Sequence, residues 1–351
     1  MKEDRLFEQF PPVETGEWLE RIRADLKGED FHGKMVWKTD EGFDVKPFYR
    51  TEDLKSLGYG IPGKSDFICP VLTEKRDNNW LVRQDILVRN CEAANRKALD
   101  ILMRGVGSIG FVIDDSGTVN LENFRILLRG IHLGSIELNI RCRGMAREIL
   151  GIIAQLAPDS GTNLTLVRGA IEADPLGILM VDGTLCIPAE EGFDYLASLT
   201  EASSGLPFFR TINVGAYIFQ NAGADIVREL AFAVSMGCEY LSQLTARGLA
   251  AEYAASKIRF GFGSGSAYFP EIAKLRAARC LWSAVLDRFV PEGSDIPAMD
   301  IHCITGRWNK TLFDPCVNML RTQTEAMSAV LGGADSLTVE PYDIVFRKDG
   351  P

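Results

Sequence analysis

Thr211-Ile-Asn-Val-Gly-Ala-Tyr-Ile-Phe-Gln-Asn-Ala-Gly-Ala224 decides how this chain is read. An apolar, β-branched run ends in Gly215-Ala216-Tyr217, and a helical pattern begins near Asn221 and continues through Ile226, Leu230, Ala233 and Val234. The pattern predicts a strand over residues 211–219 that feeds a helix, with Tyr217 at the strand's C-terminal end. In a barrel enzyme that end carries the chemistry. Ile218, the next residue, can neither donate a hydrogen bond nor titrate.

The same alternation extends in both directions. Strands are predicted over residues 81–86, 108–113, 135–140, 164–171, 211–219, 257–262, 299–304 and 336–339. Helical patterns lie between them, near 90–103, 121–128, 145–156, 190–202, 222–244, 267–289 and 314–331. Strict alternation at this count predicts an α/β protein with a parallel (β/α)8 TIM barrel rather than an open doubly wound sheet. The pattern leaves out the eighth barrel helix, because the sequence stops soon after Val339; it is either a naturally short product or a fragment of something longer, and the fragment reading is favoured.

Ahead of the barrel lies an extended arm. Residues 15–26 read as an amphipathic helix capped by Thr15 and ended by Gly28. Residues 34–39 and 43–49, joined by Asp40-Glu-Gly42, read as a β-hairpin, and 55–79 as a loop rich in Gly, Pro, Ser and Asp. The predicted division is an arm over 1–79 and a barrel over 80–351, with the arm packed on the barrel or on a partner subunit.

Composition narrows the function classes. The chain has 351 residues, 46% hydrophobic and 25% charged, as expected of a globular protein with a large core. A net charge of −10 argues against a nucleic-acid surface. No window approaches the ~20 apolar residues of a membrane span. The N-terminus has no apolar signal region and carries acids unlike a presequence. None of the eight cysteines has C-x-x-C spacing, so reduced thiols in a cytoplasmic protein are expected, with no metal site.

Several segments carry a family resemblance. Residues 220–240 and 269–282 look like consecutive barrel helices of methylmalonyl-CoA mutase. The second also reads as an amphipathic helix with Ile272, Leu275, Ala278 and Leu281 on one face. Asn79-Trp-Leu-Val-Arg-Gln-Asp85 resembles the family's Trp-Thr-Ile-Arg-Gln-Tyr segment on the first strand. Trp80, Arg83 and Gln84 fit, and Asp85 replaces the tyrosine. His302-Cys-Ile-Thr-Gly-Arg-Trp308 resembles the seventh strand, whose family pattern is Arg-Thr-His-Ser-Gln-Thr-Ser-Gly-Trp. His302 and Trp308 match, Asp300 stands in place of the arginine and Ile304 in place of the glutamine. The family has a Tyr-His pair where this chain has Tyr217-Ile218, and that histidine helps the carbonyl group migrate.

The resemblance implies a barrel that binds acyl-CoA along its axis. Four of its site positions depart here: Asp85, Ile218, Asp300 and Ile304. A carboxylate at Asp85 is expected to repel an anionic acyl-CoA. Tyr217, His302, Arg83 and Gln84 are then remnants of a retired site, with no confident catalytic residue. Phe219, Phe260, Phe262 and Ile304 are expected to plug the axis.

Two motifs offer other readings. Gly261-Phe-Gly-Ser-Gly265 resembles a phosphate loop, but close backbone packing fits its spacing better. Asp300-Ile-His302 approaches a cobalamin-binding signature with its glycine one residue late, so no cobalt-ligand role is assigned.

Residues 6–13, Trp18, 25–28, 36–39, 47–50 and Asp174-Pro-Leu-Gly177 resemble N-terminal portions of small subunits of heterodimeric mutases. The resemblance implies a small (β), non-catalytic subunit that binds no cofactor. A large (α) subunit would carry substrate and adenosylcobalamin and interconvert (R)-methylmalonyl-CoA and succinyl-CoA, with a C-terminal cobalamin domain absent from these residues. A homodimer in isolation is compatible with this. The alternatives are an autonomous acyl-CoA-binding barrel or isomerase, and a scaffold or chaperone for the mutase.

Overall fold

The computed structural model describes residues 10–50, 52–53, 79–291 and 294–346. The chain divides into two compact units, Met1–Ile61 and Pro62–Pro351. The expected boundary after residue 79 and the loop expected over 55–79 fall almost wholly outside the described residues, as does Cys69.

The first unit holds helices α1 (Thr15–Asp25) and α2 (Phe31–Met35) and strands β1 (Trp37–Lys38) and β2 (Asp44–Val45). The strands pair antiparallel, so the hairpin is present, but each contributes only two residues. Residues 34 and 35 belong to α2 instead, because the Asp30 carboxylate caps its first turn through Gly33 N at 2.7 Å. Thr15 is not the N-cap of α1. That place falls to Glu14, and the Thr15 hydroxyl donates to Glu52 Oε1 at 3.2 Å.

The second unit is an eight-stranded parallel barrel. Its elements are β3 (Leu81–Leu87), α3 (Cys91–Met103), β4 (Ser108–Ile113), α4 (Leu121–Leu127), β5 (Glu137–Cys142), α5 (Ala146–Asp159), β6 (Arg168–Ile171), α6 (Pro175–Asp182) and α7 (Ala189–Ala202). They continue as β7 (Phe209–Arg210), β8 (Ile212–Val214), α8 (Tyr217–Asn221), α9 (Ile226–Ala246), α10 (Ala251–Ser256), β9 (Ile258–Ser264), α11 (Tyr268–Phe289), β10 (Asp300–Thr305), α12 (Val317–Gly332) and β11 (Ser336–Thr338). Hydrogen bonding runs in the order β7-β6-β5-β4-β3-β11-β10-β9-β8, and each pair is parallel.

The two ends of that order are one broken strand. β7 and β8 flank Thr211; β7 pairs with β6 and β8 with β9. Asn213 N also donates to Ala173 O at 2.9 Å, so the ring closes on itself. Closure leaves no long free edge.

The opening stretch is therefore shorter as a strand than its apolar run suggests. The strand ends at Val214, and residues 217–221 are helical. Gly215 N donates to the Asp174 carboxylate at 2.8 Å instead of to a neighbouring strand, which stops the ladder there. The following helix begins at Ile226, capped by Asp225, and not at 222, because Gly223 turns the chain at φ +95°. Leu164–Leu166, expected as strand, is a 3-10 turn held by the Asn163 side chain at Thr165 N. Two further helices, α6 and α10, had no expected counterpart.

Among the described residues no helix follows β11. The surface where one would cross between β11 and β3 is an open apolar groove of about 560 Å³, lined by Trp80, Val82, Met327, Val330 and Val339 among others. Elsewhere the helices seal the sheet. Phe260 of β9 meets Trp282 of α11 edge-on with 4.9 Å between ring centroids.

β6 approaches β5 closely. Gly169 has φ +145°, and a Cβ there would lie 1.7 Å from Leu138 O. Neither backbone can retreat without breaking the ladder between them. Gly169→Ala is therefore expected to destabilise the barrel at or above the top of the ~1–3 kcal/mol range for overpacking, read as a fall in the denaturant midpoint with an unchanged m-value.

Candidate functional site

Side chains alternate across each strand, so one set lines the barrel and the other faces the helices. In β9, Ile258, Phe260 and Phe262 face outward, while Arg259, Gly261 and Gly263 face the axis. In β5 the inward set is Glu137, Asn139 and Arg141; in β10 it is Asp300, His302 and Ile304; in β3 it is Arg83 and Asp85. The interior is thus filled by paired charges.

One layer lies near the strands' N-terminal ends and is built around Arg259, whose side chain is 2% exposed. Its guanidinium reaches Glu137 Oε2 at 2.9 Å across the barrel and both oxygens of Asp300 at 3.2 Å. It also donates to Asn139 Oδ1. Arg210 adds an ion pair to Asp300 Oδ2 at 2.7 Å. Ser108 donates to Glu137 Oε1 at 2.9 Å. Burial alone would push the Asp300 carboxyl up, but Arg259 and Arg210 outweigh it and hold its pKa at about 2. Two arginines face two carboxylates, and the layer is neutral.

The second layer lies towards the C-terminal ends. Arg83 Nε donates to Asp85 Oδ1 at 2.7 Å, and Arg83 Nη1 lies 2.6 Å from Glu172 Oε1 on the far wall. Arg141 Nε donates to Glu172 Oε2 at 2.8 Å, and its Nη2 lies 3.7 Å from Asp85 Oδ2. Burial favours protonated Glu172, but Arg141 and Arg83 override it and hold the carboxyl far below the ordinary range. This layer is also neutral.

Tyr217 stands beside the second layer, its ring against the bare Cα of Gly261, where a Cβ would lie 3.2 Å away. Burial raises its phenol pKa against the pull of Arg141. His302 is buried, with Nδ1 2.8 Å from Ser336 Oγ and Nε2 3.3 Å from Thr338 Oγ1. Burial first, then Arg83 and Arg259, drives its pKa well below 6.5, so the ring is neutral.

The structure thus brings Arg83, Asp85, Tyr217 and His302 into one interior layer and Asp300 into the other. Gln84 is separated from them, because strand alternation turns it to the opposite face of β3. Ile218 lies on α8, outside any strand, and Ile304 is buried on the inward face of β10. The expected aromatic plug is not what fills the axis. Phe260 and Phe262 face the helices, and Phe219 packs on Phe232 at 4.8 Å. The interior charges take that place.

Arg141, Glu172, Glu137, Asn139, Arg210 and Arg259 escaped the sequence reading. For Glu137, Asn139, Arg141 and Arg259 the signal was present in Glu137-Leu-Asn-Ile-Arg-Cys142 and Ile258-Arg-Phe-Gly-Phe262, where apolar residues alternate with polar ones or glycine. Gln220 also went unnoticed. It is buried against Gly263, Gly265 and Gly306, where added Cβ atoms would come within 2.6–3.2 Å of it. The amides of Gly263 and Gly265 donate to Glu229 and Glu271 at 2.7 and 2.9 Å. The chain's own carboxylates occupy what resembled a phosphate loop.

These features define a closed parallel α/β barrel with a charge-paired interior. A family model described as methylmalonyl-CoA mutase matches residues 106–349. The methylmalonyl-CoA mutase small subunit of Porphyromonas gingivalis is 40% identical over 99% of this chain and 56% of its own length. The methylmalonyl-CoA mutase of Rhizobium meliloti is 33% identical over 88% of this chain and 47% of its own length. The mitochondrial methylmalonyl-CoA mutase of Homo sapiens is 29% identical over 97% of this chain and 48% of its own length. The chain belongs to the methylmalonyl-CoA mutase family and spans about half the length of these relatives.

Two measurements test the interior. Arg259→Met strands Glu137 and Asp300 without their counter-charge and is expected to cost about 3–5 kcal/mol in denaturant unfolding. His302 gives a pH signature. Its folded pKa lies below its unfolded value, so the unfolded chain binds the extra proton, and stability falls as pH drops below 6.5. Asp300 acts lower, between its ordinary 3.8 and about 2. His302→Asn should remove the upper component of the slope and leave the lower one.

Proposed function

We propose that this chain is the barrel portion of a small, non-catalytic subunit of a heterodimeric methylmalonyl-CoA mutase. A large subunit would carry substrate and adenosylcobalamin and interconvert (R)-methylmalonyl-CoA and succinyl-CoA. The observation that carries this reading is the 40% identity, over nearly the whole chain, to a protein named as a small subunit.

The barrel interior agrees with it. Guanidinium and carboxylate groups meet across the axis at two levels, where a threaded acyl chain would need open space. The site positions singled out in the sequence are otherwise engaged. Asp85 and Asp300 neutralise arginines. His302 has both ring nitrogens beside hydroxyls of β11, and Ile218 has no titratable group.

His302, the histidine of the Asp300-Ile-His302 segment, is buried with both ring nitrogens beside hydroxyls, which supports giving it no cobalt-ligand role. The chain's contribution would then be a rigid barrel and an arm for assembly. Among the described residues no helix is long and apolar enough to cross a membrane.

Co-expression with the cognate large subunit tests the reading. A stoichiometric complex on size exclusion is expected, and two separately eluting chains would sink it. Calorimetry of this chain alone with methylmalonyl-CoA should give no heat of binding, whereas micromolar affinity would favour an autonomous acyl-CoA barrel.

A further inference from the structure

Arg83 is ion-paired to Asp85 and Glu172, yet its terminal nitrogens are not fully used. Its side chain is 1% exposed, and Nη1 and Nη2 are both buried without an aligned hydrogen-bond acceptor. Nη1 approaches Glu172 closely, but that carboxylate is shared with Arg141. A buried guanidinium with unused donors is an oxyanion site in waiting.

Asp85 sits against this guanidinium and is held loosely by comparison. It has one short contact, from Arg83 Nε at 2.7 Å, while Arg141 Nη2 is 3.7 Å away. Space has been left for it. A Cβ on Gly110 would lie 1.9 Å from Asp85 Oδ1 and 3.0 Å from Arg83 Nη2, so the bare glycine forms the floor of the site. The site also reaches solvent. The Arg141 side chain is 37% exposed and Asp85 22%, against 1% for Arg83.

The charge count sets the ligand. Arg83 and Arg141 face Asp85 and Glu172, and His302 is neutral. Removing the Asp85 side chain leaves one uncompensated positive charge on the Arg83 and Arg141 guanidinia, of which Arg83 is buried. A planar monoanion restores the balance and matches the guanidinium fork, and a doubly charged tetrahedral oxyanion overshoots it.

We propose that Asp85 is a tethered carboxylate seated in a carboxylate-binding site formed by Arg83, Arg141 and the bare face of Gly110, and that a small free carboxylate takes its place when the side chain is removed. In the intact chain the site is self-occupied. An anionic acyl group entering the mouth meets a carboxylate already in position. The inference stands apart from subunit association, which is read by complex formation and not by anion binding.

Thermal unfolding of the full chain in sodium acetate, sodium sulfate or sodium chloride at matched ionic strength tests it. The Tm of Asp85→Ala is expected to rise with acetate concentration as binding to the folded state requires, more than with sulfate or chloride. Wild type should show no acetate-specific rise, and Asp85→Ala with Arg141→Gln should lose it. An acetate response in Asp85→Ala no larger than in wild type overturns the proposal, as does one that survives Arg141→Gln. Where Asp85→Ala does not fold in chloride, refolding with acetate is the readout, and Asp85→Ser is run beside it. Soluble, cooperative protein recovered only with acetate supports the site, and failure of acetate to rescue either variant refutes it.

Discussion

The barrel depends on guanidinium groups that cross its axis. Arg259 on β9 reaches Glu137 on β5, and Arg83 on β3 reaches Glu172 just after β6. Each bridge joins strands three places apart around the ring, so each spans the interior and does not merely run along one wall. A barrel of eight strands must fill its centre with side chains. Apolar layers usually do so through dispersion and burial. Here two layers of opposite charges do it, and the buried members, Arg83, Glu172, Arg259 and Asp300, must find partners because they cannot find water. The tolerance for misplacement is correspondingly small.

That demand propagates outward. Inward arginines need room, and β9 supplies it with Gly261 and Gly263 beside Arg259, where Tyr217 and Gln220 then pack. The glycine-rich strand end is fixed from outside by α9 and α11. Glu229 and Glu271 accept from Gly263 and Gly265, and Lys274 donates to Gly263 O at 2.7 Å while pairing with both carboxylates. Arg279 does similar work midway along α11, bonding the carbonyls of Met299 and Gly333 and the Asp335 carboxylate. Of the face expected on this helix, Leu275 and Ala278 are buried, Ile272 is half-buried and Leu281 is 47% exposed; Glu271, Lys274, Arg279 and Trp282 are buried beside them.

This explains what the sequence made legible. Strand order and barrel class followed from hydrophobic period, because outward-facing residues such as Ile258, Phe260, Ile301 and Cys303 are apolar in the ordinary way. Element ends were lost where one side chain bonds a backbone amide, as Asp174 does at Gly215 and Asn163 at Thr165. Those bonds are long-range or turn-specific, and period does not report them. Half of the interior was legible through single residues: Arg83, Asp85, Asp300 and His302 drew notice one at a time. Their partners Arg141, Glu172, Glu137 and Arg259 lie far away along the chain. Pairing across a barrel is set by closure, which no local window contains.

A charged interior is not the arrangement that maximises stability. Replacing a buried ion network with apolar residues of matching volume is often neutral or stabilising, because the desolvation of each ion offsets its attraction. What the network supplies is geometry. A guanidinium fork accepts carboxylates only in certain directions, so Arg259 sets β9 against both β5 and β10, and Arg83 sets β3 against β6. A one-residue slip of any of these strands would turn its inward charge toward the apolar helix layer. The same residues that meet across the axis therefore hold the register of the wall. In a barrel whose proposed work is assembly, a fixed outer surface matters more than an open centre, and the interior charges contribute that fixity directly.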